Sequence, residues 1–99
     1  MGFNERVWQL TKRIPKGRVT TYRILAAKLR TKAYRAVGNA LNKNPYSPRV
    51  PCHRIVRSDG GVGGFARGTR KKIEMLEKEG IKIKRNKIVS FEKILYKFN

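Results

Sequence analysis

Residues 20–42 read TTYRILAAKLRTKAYRAVGNALN, and this stretch decides the fold. Thr20 and Thr21 supply hydroxyls able to accept a backbone N–H at a helix start, and Ile24, Leu25, Ala27, Lys28 and Leu29 follow as a short helix from Tyr22 to Leu29. A break is expected at Arg30 to Lys32. From about Ala33 to Asn42 a second helix carries Val37, Ala40 and Leu41 as a narrow apolar stripe and leaves Tyr34, Arg35, Gly38 and Asn42 on its other faces. Two short helices, a tight joint and a basic face on the second predict a helix-turn-helix.

The flanks give that motif a platform. Val7, Trp8, Thr11 and Ile14 recur at three-to-four spacing, so a helix is expected from Asn4 to about Arg13, capped by Asn4 and closed by Pro15-Lys16-Gly17. After the motif, Asn44-Pro45 ends the helix, and Pro48 and Pro51 are expected to hold Tyr46 to Pro51 extended. The segment Pro51-Cys52-His53-Arg54-Ile55-Val56 comes next, followed by a glycine-rich loop from Ser58 to Gly64 where backbone can approach a ligand. That loop lacks the Gly-Lys-Ser/Thr ending of a phosphate-binding loop. Thr69 is expected to cap a helix running to Glu79 with Ile73 and Leu76 inward and Gly80 at its end. Ile81, Ile83, Ile88 and Val89 around Arg85-Asn86-Lys87 read as a small hairpin, and Phe91, Ile94, Leu95 and Phe98 as a final helical stripe.

Composition narrows the function. The chain has 99 residues, the size of one domain spanning 1–99. Its 25 Lys and Arg against 6 Asp and Glu give a net charge of +19, which calls for a polyanionic partner, while 39% hydrophobic residues suffice for a folded core. One Cys and one His permit neither an intramolecular disulfide nor a four-ligand zinc site, so no metal is expected. No apolar run approaches the roughly 20 residues that span a bilayer, and the N-terminus lacks a signal-peptide pattern, so no membrane association and a cytoplasmic, nucleoid-associated address are expected. In that setting Cys52 persists as a free thiol.

Cys52 next to His53 pairs the strongest protein nucleophile with its usual base. Adjacent residues on a strand face opposite ways, so contact would need a turn or a bridging water. Glu79 falls in a helix's last turn, where the macrodipole disfavours a carboxylate, and a Glu79 to His53 to Cys52 chain would compensate, with the carboxylate fixing the imidazole tautomer. The plainer alternatives are a small buried thiol, a structural histidine and a solvated glutamate.

Pro51-Cys52-His53-Arg54 with its glycine-rich loop resembles the active-site motif of the O6-alkylguanine-DNA alkyltransferases. Thr21-Tyr22, Arg35-Ala36-Val37-Gly38, Asn44-Pro45, Gly61-Val62-Gly63 and Glu79-Gly80 fall in the order and approximate spacing of that family's DNA-binding and catalytic domain, from about Phe3 to Gly80. The resemblance implies a mostly α or α+β, winged-helix-like fold with a DNA-binding helix-turn-helix and a small C-terminal hairpin. It implies direct reversal of O6-alkylguanine damage by a methylated-DNA-[protein]-cysteine S-methyltransferase, a monomer that needs no cofactor and acts once on double-stranded DNA. In that reading Cys52 accepts the alkyl group, His53 is base through a water, Glu79 orients His53, Asn44 holds the turn carrying Cys52, and Tyr22 donates to the departing guanine. Arg35 fills the space left by the flipped nucleotide, Ala36 lies in the same DNA-binding motif, and Gly38 lets the helix approach the minor groove. Backbone groups of Cys52, Ile55 and Ala66 read the base edge, while Val62 and Phe65 line the pocket.

Two departures stand out: family members commonly carry Tyr where Phe65 stands and Ser where Ala66 stands. The family's N-terminal domain is expected to be absent, and the Lys-rich tail from Lys82 is expected to cap the core. Two alternatives remain. One is a nonenzymatic alkyltransferase-like lesion sensor, although such sensors typically carry Trp in place of the cysteine; the other is a sequence-specific regulator.

Overall fold

The computed structural model describes residues 1–65 and 67–98. Helix α1 spans Phe3–Thr11, strand β1 Thr20–Thr21, helix α2 Tyr22–Lys28 and helix α3 Tyr34–Asn42. A single 3-10 turn at Cys52–Arg54 leads into strand β2, Ile55–Val56, and then helix α4 spans Thr69–Lys78. Strands β3, Ile83–Lys84, and β4, Lys87–Ile88, form the hairpin, and a second 3-10 turn occupies Phe91–Ile94. This is the expected α+β domain with a helix-turn-helix and a C-terminal hairpin.

The joint of the helix-turn-helix is built by short-range bonds. Thr21 caps α2 by accepting the Ile24 N–H at 3.0 Å. At the other end, Arg30 takes the left-handed conformation at φ 58°. There the Thr31 N–H donates to Ala26 O and the Arg30 N–H to Ala27 O, each at 3.0 Å. This pattern closes a helix and reverses the chain, although Arg stands where Gly is usual. Val37, Ala40 and Leu41 are buried as their spacing required.

Parallel pairing of β1 with β2 sets Thr20 opposite Ile55 and Thr21 opposite Val56, so Tyr22 emerges beside the segment that carries Cys52. Val19 pairs with Leu95 on the other side of β1. One buried cluster joins α1, α2 and α3 through Val7, Leu25, Val37 and Ala40 and includes Cys52, Ile55 and Phe98. A second joins Val19, Val56, Val62, Leu76, Ile81 and Ile88. Cys52 and Ile55 thus belong to one cluster and Val56 to the other, which puts the Cys52 segment at their seam. No helix among the described residues is long and apolar enough to cross a membrane.

Four local expectations are corrected. Gly2, not Asn4, occupies the position before α1, and no side chain caps that helix. Gly68 at φ 97° precedes α4, so Thr69 is its first residue rather than its cap. Residues 46–50 turn instead of running extended, with the Val50 N–H donating to Tyr46 O at 3.0 Å. The terminal stripe forms only the short 3-10 turn at Phe91–Ile94, because Val19 exchanges backbone bonds with Ile94 and Tyr96 and draws the chain after it into an extended path.

Candidate functional site

Cys52 lies in the first 3-10 turn and is 8% exposed. Its N–H donates to Val50 O at 2.8 Å, and its carbonyl accepts the Ile55 N–H. Asn44, just past α3, organises the approach: its Nδ2 donates to Val50 O at 2.8 Å and to Cys52 Sγ at 3.5 Å, while its Oδ1 accepts the Tyr46 N–H at 2.8 Å. One amide therefore holds both the 46–50 turn and the thiol.

His53 is 2% exposed, and its Nε2 lies 2.8 Å from Glu79 Oε2. Glu79 ends α4, where Gly80 at φ 89° and the Ile81 N–H to Leu76 O bond turn the chain. Its carboxylate gathers Arg54 Nε at 2.9 Å, Arg54 Nη2 at 2.8 Å and the Gly17 N–H at 3.3 Å. Burial would raise the Glu79 pKa, but the Arg54 and His53 hydrogen bonds hold it below its ordinary value. Burial pushes the His53 pKa down, against the pull of Glu79. A neutral imidazole facing a carboxylate must donate from Nε2, so the lone pair sits on Nδ1, which is buried and has no hydrogen-bond partner among the described residues. No direct hydrogen bond joins His53 to Cys52 Sγ, as the adjacent positions led one to expect.

Lys72 is the residue that the sequence reading missed. It is fully buried on α4, and its Nζ donates to Ile55 O at 2.6 Å and Gly64 O at 3.0 Å. Burial lowers its pKa from 10.5 to about 8, with a smaller opposing pull from Cys52. The ammonium also stands 5.9 Å from the centre of the Tyr22 ring. Tyr22 has its own pKa raised, by burial first and Cys52 second, which keeps its hydroxyl protonated as a donor. Gly63, at φ 78°, lies against the same groups: a Cβ there would crowd Arg57 Cγ at 3.3 Å and stand in ordinary contact with Lys72 Nζ at 3.7 Å and Tyr22 Cε2 at 3.8 Å. A signal was present in the sequence, since Lys72 lies four residues before the inward Leu76 and hence on the same helix face.

Three clefts share walls around this cluster. Cys52, Asn44, Phe65 and Arg67 line one of about 220 Å³. Phe65 also lines a second, of about 480 Å³, with Tyr22, Tyr34, Gly38 and Asn42. Tyr22 and Gly64 continue into a third, of about 430 Å³, with Val62 and Arg57. The fold therefore brings together Cys52, Asn44, Tyr22, Gly38, Phe65 and Val62, with His53 and Glu79 behind Cys52. Ile55 stands behind the clefts, fully buried, and both its backbone groups are engaged, with Cys52 and Lys72. Arg35 is exposed on α3 beside the half-buried Ala36, and neither lines these clefts. Ala66 lies outside the described residues.

A helix-turn-helix set beside a thiol with an imidazole–carboxylate pair defines a class: a basic helix-turn-helix domain that carries the residues of a nucleophilic site. Residues 2–81 match the family described as 6-O-methylguanine DNA methyltransferase, DNA binding domain, and the chain belongs to that family. The methylated-DNA–protein-cysteine methyltransferase of Sulfolobus acidocaldarius is 47% identical over 81 residues, which are 82% of this chain and 51% of that protein. The chain thus spans about half the length of the curated relatives it matches. The crystal structure of the O6-methylguanine-DNA methyltransferase from Pyrococcus kodakaraensis superposes with a TM-score of 0.75 at 44% identity, covering 82% of this chain and 47% of that one. Atl1 from S. pombe, crystallised with damaged DNA containing O6-carboxymethylguanine, superposes with a TM-score of 0.83 at 25% identity, covering 96% of this chain and 94% of its own.

Proposed function

We propose that the protein repairs DNA by transferring an alkyl group from O6-alkylguanine to Cys52. The observation that carries this reading is the nucleophile arrangement inside the family match: Cys52 under an Asn44 donor, with His53 locked by Glu79 so that its lone pair is on Nδ1. In the reaction a water passes the thiol proton to His53 Nδ1, and Sγ attacks the alkyl carbon. The S–C bond forms as the C–O6 bond breaks, and the electron pair goes to the guanine. Tyr22 donates a hydrogen bond to the ring as charge develops there, and the displaced proton ends on guanine. A thioether has no ready path back to thiolate, so each molecule acts once.

Reaching Cys52 requires the base to leave the duplex. Arg35, exposed on α3, supplies the side chain that fills the gap. Gly38 suits close approach, because a Cβ there would meet nothing within 4 Å. The cationic surface supplies phosphate attraction without sequence preference, as repair of scattered lesions needs. Incubation with a duplex bearing one O6-methylguanine tests this: lesion loss should plateau at one per protein molecule, and Cys52→Ala should remove none while still binding the duplex.

A second reading, lesion binding without transfer, is favoured by one observation: Atl1 covers nearly the whole chain. Tight, lesion-selective binding with no loss of the alkyl group would establish it.

A further inference from the structure

The C-terminal hairpin lies beyond the family match, which ends at residue 81, and it does more than close the core. Its two-residue turn places Arg85 at φ 53° and Asn86 at φ 62°, both left-handed. Such turns require the left-handed conformation at both positions and favour Asn or Gly there, so Arg85 holds the first position without being a preferred turn residue. The hairpin is also bonded to the glycine-rich loop: the Val62 N–H donates to Asn86 O and the Ile88 N–H to Gly60 O, each at 2.9 Å. Gly61 and Lys87 form an antiparallel bridge between the two segments. Ile88 anchors the unit in the second core cluster.

These bonds bring three cations to one cleft. Arg57, Arg85 and Lys87 line it together with Tyr22, and Asp59, paired with Arg57 at 3.1 Å, is its one carboxylate among the described residues. The cleft shares Tyr22 and Gly64 with the one lined by Gly38 and Asn42 of α3, so the excess positive charge lies beside the helix-turn-helix. We propose that the hairpin is a second DNA contact, in which Arg85 and Lys87, with Arg57, seat backbone phosphates flanking the extruded nucleotide. This rests on the repair reading above and extends it to residues outside the family match. The hairpin's bonds to Gly60 and Val62 would then couple phosphate seating to the loop that walls Tyr22.

The test is the salt dependence of binding to an undamaged duplex, measured for the full chain and for the pair Arg85→Gln/Lys87→Gln. Each lost phosphate contact lowers the slope of log K against log salt by about 0.9, so the pair should lose about 2. The matched pair Lys12→Gln/Lys16→Gln, whose residues line neither Tyr22 cleft, should lose markedly less. Thermal midpoints of both pairs should stay near that of the parent, since all four residues are exposed. A slope for Arg85→Gln/Lys87→Gln that falls no further than the control, or that falls only together with the thermal midpoint, overturns the proposal. The binding arm does not depend on alkyl transfer; a parent protein that removes no alkyl group from a lesion duplex would sink the repair reading separately.

Discussion

Lys72 offers a test in which the sign and size of an effect follow from the structure. The ammonium is fully buried, and its pKa falls from 10.5 to about 8, so in the folded protein it loses its proton more readily than in the unfolded chain. Between those values the unfolded chain binds more protons, and stability must rise with pH across the window and be lost as pH falls back to 8. A shift of that size corresponds to about 3 kcal/mol at 1.36 kcal/mol per unit. Lys72→Met keeps the length of the side chain and removes the proton, but strips Ile55 O and Gly64 O of their donor, at about 1–3 kcal/mol each. Urea unfolding of both proteins at pH 7 and pH 10.5 separates the two effects. Titrating groups that do not sense Lys72 cancel between parent and variant, and the pull of Cys52 on Lys72 is smaller than the effect of burial, so the parent should gain about 3 kcal/mol more than Lys72→Met over that interval. An equal pH response in the two proteins would show that Lys72 is not a buried ammonium, and its assigned surroundings would be wrong.

Three further outcomes follow from the site. Burial lowers the His53 pKa beneath 6.5, so the alkyl-transfer rate should hold at neutral pH and fall on acidification with a midpoint below 6.5; a midpoint above it contradicts the neutral imidazole. Arg54→Ala removes three contacts to Glu79 and one to Ile14 O, and leaves a largely buried carboxylate short of its partner, so unfolding by denaturant should show a loss of about 3 kcal/mol. A loss under 1 kcal/mol would mean that the pair is solvated. Arg35→Ala should slow transfer from duplex DNA by roughly tenfold or more, about 1.4 kcal/mol, in single-turnover assays while changing undamaged-duplex affinity by less than about threefold. Equal losses in both would reduce Arg35 to a phosphate contact.

The helix-turn-helix was legible because its signals are local: a Thr cap, a narrow apolar stripe and charges left outside it. A partner for Glu79 was suggested by chemistry, as a carboxylate at a helix end asks for one, and His53 supplies it; joining Cys52 to that pair took the family resemblance rather than local chemistry. Hidden from local reading was what parallel pairing of β1 with β2 decides, namely that Tyr22 stands next to the Cys52 segment. Lys72 gave only the faint signal of its place four residues before Leu76, since lysines in a basic helix read as solvated until tertiary packing supplies Ile55 O and Gly64 O as acceptors. The terminal residues 91–98 have helical spacing, yet their backbone bonds to Val19 override it. Propensity yields there to the vacant edge of a strand.

The central claim is that Cys52 is the alkyl acceptor, and mass spectrometry tests it most directly. After incubation with a duplex containing one O6-methylguanine, the intact protein should gain a single methyl group, confined to the peptide carrying Cys52, with equimolar loss of the lesion. An unmodified Cys52 peptide, or a methyl group found on another residue, would contradict the account.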